Sequence, residues 1–238
     1  VVAKNTTIDF GNKAITANVY PAFRIQGNAN VTVKNGNITN NDYVFVLGAS
    51  DGSSAGMLAI ENGTFHGATT VASVTKGNLA INGGEFSVEP YQGNYAYLIN
   101  CVDTNYDNGT ATVSIKGGTF HNWNPENNAA EGAGTDFCAE GYFAVETSEN
   151  VYEVVEGLIG KGTETEPFLI RSLKELKFFR DHVNAGKTKY NAEGVHVALA
   201  ANIDMATEDW SNNIGDDCNY TFDGIFNGSY KGVQYTLS

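Results

Sequence analysis

Proline is scarce here, 4 residues in 238, and cysteine scarcer still, with 3. So few cysteines exclude a disulfide framework, and one of them must stay unpaired within the chain. Cys101, Cys138 and Cys218 have no CxxC spacing, which removes the usual zinc and redox motifs. Cys101 and Cys138 could pair only if folding set them side by side; buried free thiols are the simpler state. Basic residues are also in short supply, 14 against 27 acidic, for a net charge of −13. A phosphate backbone or an anionic membrane surface would be repelled, so nucleic acid is excluded as a partner. No run of 18 apolar residues occurs, which argues against membrane insertion by a helix. Val1 starts in strand-like sequence with no charged or apolar leader, and 236–238 resemble the middle of a strand, so a trimmed chain is expected.

What the chain does have is glycine, 27 residues, and 42% hydrophobic composition. The second is enough for a core, and the first suits short strands joined by tight turns at positive φ. The composition reads as all-β. Acid is concentrated between Glu126 and Glu166, where ten Asp or Glu face only Lys161. A solvated acidic face is the plain reading of that run.

A phrase recurs four times: VTVKNGNIT at 31–39, LAIENGTFH at 58–66, LAINGGEFS at 79–87 and VSIKGGTFH at 113–121. A fainter copy, TIDFGNKAIT, precedes it at 7–16. Taking Ile15, Ile38, Phe65, Phe86 and Phe120 as equivalent gives spacings of 23, 27, 21 and 34 residues. Periods of that size predict a solenoid. The Asn-Gly pairs at 35–36 and 62–63 also suit type I′ hairpins, which keeps an antiparallel sandwich as the second reading. Only one strong apolar residue follows each Asn-Gly, however, too short an arm for a hairpin. A parallel β-helix explains both the phrase and its recurrence. It predicts three inward ladders: Val31, Leu58, Leu79 and Val113; Val33, Ile60, Ile81 and Ile115; Ile38, Phe65, Phe86 and Phe120. Further strand-like runs at 43–47, 70–74 and 95–99 add a second strand to each repeat.

After His121 the phrase stops, and 121–155 reads as an excursion with two final strands, a capping segment over an otherwise open solenoid end. Gly157 to Thr165 is the expected boundary, giving domains 1–156 and 157–238. The second opens with a helix from Ser172 to Ala185: Ser172 and Glu175 form a capping box, and Leu173, Leu176, Phe179 and Val183 share one face. Strand-like sequence follows at 196–200, 203–205 and 222–226.

The repeat phrase with its GGTF variant resembles right-handed parallel β-helix, or pectin-lyase-like, proteins of bacterial surfaces and some phage tail fibres, over about residues 7–155. The C-terminal part, with GTETEPFLIRSLKEL, LAANID, Trp210, Ile214, Gly215 and FDGIFNG, resembles the opening of a GLUG-type module of bacterial surface proteins. Together these resemblances imply an extracellular or cell-surface bacterial protein. Enzymes of the pectin-lyase-like class use Asp-bound calcium with a basic proton abstractor, or several Asp with GHG and RIK motifs. Neither motif is present, and residues 1–125 hold one Arg and five Lys. The leading expectation is therefore a noncatalytic, adhesin-like binder of carbohydrate or another surface ligand. A polysaccharide lyase or hydrolase is the alternative, and a trimeric tail-fibre component the third.

Candidate ligand contacts cluster in the long insertion at 89–110 and just past the last phrase: Tyr91, Tyr95, Tyr97, Tyr106 and Trp123, whose rings could stack on sugar faces, with Asn94 and Asn105 for hydroxyls. The competing reading places such aromatics in the core. Asp103 and Asp107 in CVDTNYDNG suggest a calcium loop, although without regular ligand spacing, and a plain turn is the simpler reading. No other cofactor is implied. Glu131, Asp136 and Glu140 are near enough in sequence to ask whether a glycosidase acid pair forms. His66 and His121 directly follow the ladder phenylalanines, a solvent-edge position. The Asn-X-Ser/Thr sites read as turn chemistry.

Overall fold

The computed structural model describes residues 1–89, 96–206, 210, 212–215 and 220–238. They form two compact units, Val1–Glu156 and Gly157–Ser238. Short strands dominate, with three short helices among the described residues.

In the first unit the strands come in successive sets. They are β1 (Thr6–Asp9) and β2 (Ile15–Ala17); β3 (Phe23–Ile25), β4 (Ala29–Lys34) and β5 (Gly36–Asn40); β6 (Tyr43–Leu47), β7 (Gly56–Ile60) and β8 (Gly63–Gly67). Then come β9 (Thr70–Val74), β10 (Gly77–Ile81) and β11 (Glu85–Val88), followed by β12 (Ile99–Cys101), the helix α1 (Asp103–Asp107), β13 (Ala111–Ile115) and β14 (Thr119–His121). Each strand from β1 to β11 pairs with the one three places later, giving parallel sheets ordered β1-β4-β7-β10-β13, β2-β5-β8-β11-β14 and β3-β6-β9-β12. A final hairpin, β15 (Tyr142–Ser148) and β16 (Val151–Glu156), joins the second sheet, with β16 antiparallel to β14.

The register aligns the residues that the repeat aligns. Val31, Leu58, Leu79 and Val113 are successive partners, as are Val33, Ile60, Ile81 and Ile115. Ile15, Ile38, Phe65, Phe86 and Phe120 form a third row. In that row Phe65 and Phe86 stack at 5.5 Å and Phe86 and Phe120 at 5.1 Å, all three fully buried. Burying one such ring contributes about 1.5–3 kcal/mol.

Among the described residues no antiparallel sandwich of hairpins forms. Asn35-Gly36 and Asn62-Gly63 each join strands in different sheets, and those strands pair with parallel neighbours. Glycine is required at this corner by geometry: Gly63 has φ 125°, and a Cβ there would lie 2.5 Å from the Gly36 nitrogen. The run at 95–99 starts its strand later than expected, at Ile99, and Tyr95 lies outside the described residues. Segment 103–107 is helical, a five-residue element too short to show helical periodicity in sequence. No disulfide joins Cys101 to Cys138, and Cys218 lies outside the described residues.

The second unit holds β17 (Phe168–Ile170), α2 (Leu173–Asn184), α3 (Thr188–Asn191), β18 (His196–Leu199), β19 (Ile225–Asn227), β20 (Ser229–Tyr230) and β21 (Val233–Gln234). Its main sheet is parallel, β17-β18-β19, with Phe168, Val197 and Phe226 in one row. Ser172 Oγ accepts the Glu175 N–H at 3.2 Å, capping α2 as the sequence predicts. The Glu175 carboxylate is buried and reaches one residue past the cap, taking the Arg171 N–H at 2.5 Å and that residue's guanidinium. A charge so buried needs such pairing. Leu176, Phe179 and Val183 fill the core with Phe168, Ile170 and Tyr190. The expected strand at 222–226 begins only at Ile225, and the Phe222 ring before it packs edge-on against Phe179, 5.3 Å away. Between 203 and 205, a single bridge from Ile203 to Leu237 replaces a strand.

Candidate functional site

The insertion residues singled out from sequence divide three ways. Tyr91, Asn94 and Tyr95 lie outside the described residues. Trp123 points inward: it is 3% exposed, 5.6 Å from Phe120 and 6.2 Å from Phe137. Its ring cannot stack on a ligand, which corrects that assignment. The strand ends at His121, and Asn122, at φ 55°, turns the chain so that Trp123, three residues after Phe120, comes back onto the core. Tyr106 packs its ring edge-on against Phe137 at 5.9 Å, alongside the core. Burial, then Cys101 and neighbouring carboxylates, raises its phenol pKa. Asn105 donates from Nδ2 to the Thr75 carbonyl at 2.6 Å, holding α1 beside the end of β9. These two contacts are structural.

Asp103 and Asp107 lie on α1, and their charges help raise the pKa of Glu131, whose burial is the larger cause. Glu131 Oε1 accepts the Cys101 N–H at 2.6 Å, closing the edge of the β3-β6-β9-β12 sheet. The Cys101 thiol is pushed up to about 12 by burial and by that carboxylate, so it stays protonated and unreactive. Asp136 accepts the Cys138 N–H at 2.8 Å, a local turn. Among the described residues, no three His, Cys, Asp or Glu side chains are placed to hold a metal ion.

What folding does bring together is a corner at the start of the β3-β6-β9-β12 sheet. Two buried polar residues build it. Asn40, fully buried at the end of β5, accepts the Val19 N–H at 3.3 Å and donates to the Val19 carbonyl at 2.8 Å and the Tyr43 carbonyl at 2.5 Å. It thereby ties the segment carrying Tyr20 to the start of β6. Thr70, 1% exposed, donates to the Tyr97 carbonyl at 2.8 Å and fixes Tyr97 beside it. Tyr20 is 61% exposed and meets Tyr43 edge-on at 5.1 Å. Tyr43 and Tyr97, with Thr69, Thr70 and Asn100, line an open cavity of about 200 Å³. Burial, then Tyr20 and Asp42, raises the Tyr43 phenol pKa, so the hydroxyl is neutral and able both to donate and to accept.

Compared with known proteins, the chain matches no family model, no curated protein and no solved structure. No described helix is long and apolar enough to cross a membrane.

A second cluster lies on the outward side of β8, β11 and β14. His66 Nδ1 is 2.9 Å from Ser87 Oγ, and His121 Nε2 is 2.9 Å from Glu85 Oε1. A serine beside an imidazole is the first half of a nucleophile-base pair. The second half is loose: His66 Nε2 lies 3.8 Å from a well-exposed Glu89 carboxylate, beyond hydrogen-bonding distance. Nothing in that contact fixes the tautomer, and the cluster reads as a hydrogen-bonded surface.

Sequence reasoning missed Tyr20 and Tyr43 because both lie outside the repeated phrase. A signal was present, though. Tyr43 and Thr70 open two runs between phrases 27 residues apart, and one further step of 27 reaches Tyr97.

Proposed function

We propose that Val1–Glu156 is a right-handed parallel β-helix with a capping segment, related in kind to pectin-lyase-like surface proteins, and that Gly157–Ser238 is a GLUG-like module. Supporting the first part, each strand from β1 to β11 is the parallel neighbour of the strand three places later, through five successive sets. Parallel connections of this type are right-handed almost without exception. The antiparallel hairpin on β14 is what a cap would supply. The protein is then a noncatalytic, secreted or surface-displayed binder, adhesin-like in presenting its ligand site along a rigid rod.

The ligand is carbohydrate, and the observation carrying this is the cavity bounded by Tyr43 and Tyr97. Aromatic rings present flat apolar surface to the apolar face of a sugar ring, while Thr69, Asn100 and the phenols offer both donors and acceptors for its hydroxyls. The tests are a glycan array and titration calorimetry on the Tyr43→Ala, Tyr97→Ala double variant. Loss of one aromatic face should weaken binding about tenfold, near 1.4 kcal/mol, and loss of both should abolish it on the array. Both side chains are partly exposed, so the fold should persist. Unchanged glycan binding by the double variant would remove the corner from consideration.

A further inference from the structure

We infer that the tyrosine corner selects uncharged sugar residues and rejects uronic acids and sulfated sugars. This rests on the carbohydrate reading above and narrows it to a substrate class. The described lining residues, Tyr43, Thr69, Thr70, Tyr97 and Asn100, are all uncharged. The hydroxyl and amide groups among them suit a sugar hydroxyl, which also donates and accepts. A carboxylate or sulfate brings only acceptors and a charge. Moved from water into a neutral cavity without a cationic partner, such a group loses hydration that nothing replaces.

The surroundings act in the same direction. Asp42 adjoins Tyr43 and is close enough for its charge to act on the Tyr43 phenol. The chain as a whole carries −13. Arg24, the single arginine of residues 1–125, is already engaged: its guanidinium lies 6.0 Å from the centre of the Tyr20 ring, and Nη1 donates to the Gly48 carbonyl at 3.3 Å. At about 200 Å³ the cavity is smaller than the 300–1,000 Å³ typical of drug-sized ligands, and it suits a single sugar ring.

The test uses matched pairs differing only at C6: tetramers of glucose and glucuronic acid, galactose and galacturonic acid, and mannose and mannuronic acid, titrated into the full chain at about 20 mM and again at about 500 mM salt. The expected result is that the neutral member of at least one pair binds tenfold or more tightly than its acid. Screening at high salt should narrow the gap, because the Debye length falls severalfold. Asp42→Asn should also narrow it at low salt, and Tyr43→Ala should weaken the neutral member. Equal or tighter binding of the acid would overturn the selectivity while leaving the carbohydrate reading in place. A preference untouched by both salt and Asp42→Asn would overturn its electrostatic basis. No binding of either member in any pair would overturn the carbohydrate reading, and the selectivity with it.

Discussion

Two rows of aromatic rings run along the first unit, one inside and one outside. The inner row, Phe65, Phe86 and Phe120, is continuous, with neighbouring rings only 14–15° from parallel and no exposed surface. The outer row, at the corner, is broken: Tyr20 meets Tyr43, Thr70 takes the next position, and Tyr97 follows. Both rows derive from one spacing, since adjacent strands place equivalent side chains about 4.8 Å apart. Inside, an omitted ring would leave a void that no water can fill, so every position carries a large apolar group. Outside, the threonine in place of a ring forms part of the lining of the open cavity between Tyr43 and Tyr97. The same omission is a defect in one row and an open cavity in the other.

The sharpest way to break the comparison is to create in the inner row the gap that the outer row tolerates. Phe86→Ala should cost about 3–5 kcal/mol. For a domain of this size, that corresponds to a fall in melting temperature of order 10 °C, read by circular dichroism. A variant melting within about 2 °C of the parent would mean that the inner stack does not hold the sheets together.

An intermediate effect is expected at Asn40, the joint between core and corner. Asn40→Ala leaves the Val19 N–H and the Val19 and Tyr43 carbonyls without their partner and should cost about 1–3 kcal/mol. It should also free Tyr20 from Tyr43 and weaken glycan binding although no ligand-lining side chain has changed. Full stability with full binding would show that the corner is built without it.

The smallest effect belongs to Glu131, which closes a sheet edge with a partly buried carboxylate. Burial raises its folded-state pKa above the ordinary 4.5. Protonation thus favours the folded chain; the contribution is complete below 4.5 and is lost as pH rises through the folded-state value. Glu131→Gln, which retains an acceptor for the Cys101 N–H without the charge, should raise the melting temperature by about 1–3 °C at pH 7 and leave it unchanged near pH 4. A decrease at pH 7 would show that the charged bond to Cys101 outweighs the cost of burial.

The inner ladders could be read from the sequence because they obey a rule that repeats: apolar residues at fixed offsets from a glycine, every 21 to 34 residues. Helix α2 was equally readable through its serine cap and its Leu176, Phe179 and Val183 stripe. The corner was not. Tyr20 and Tyr43 lie outside the recurring phrase, and Asn40 and Thr70 are polar residues whose complete burial no local pattern announces. Tyr106 and Trp123 misled in the opposite sense. They sit in or after an insertion, where exposure is the usual expectation, yet α1 and the turn at Asn122 bring them against Phe137.

By itself the sequence determined which residues recur, and hence which strands could stack in register, because recurrence of side-chain volume is local information written into the chain. Only the tertiary structure decided which aromatic rings reach solvent and which polar groups disappear from it. Those outcomes depend on what packs against each residue from strands far away in sequence, as Asn40 meets Val19 and Thr70 meets Tyr97.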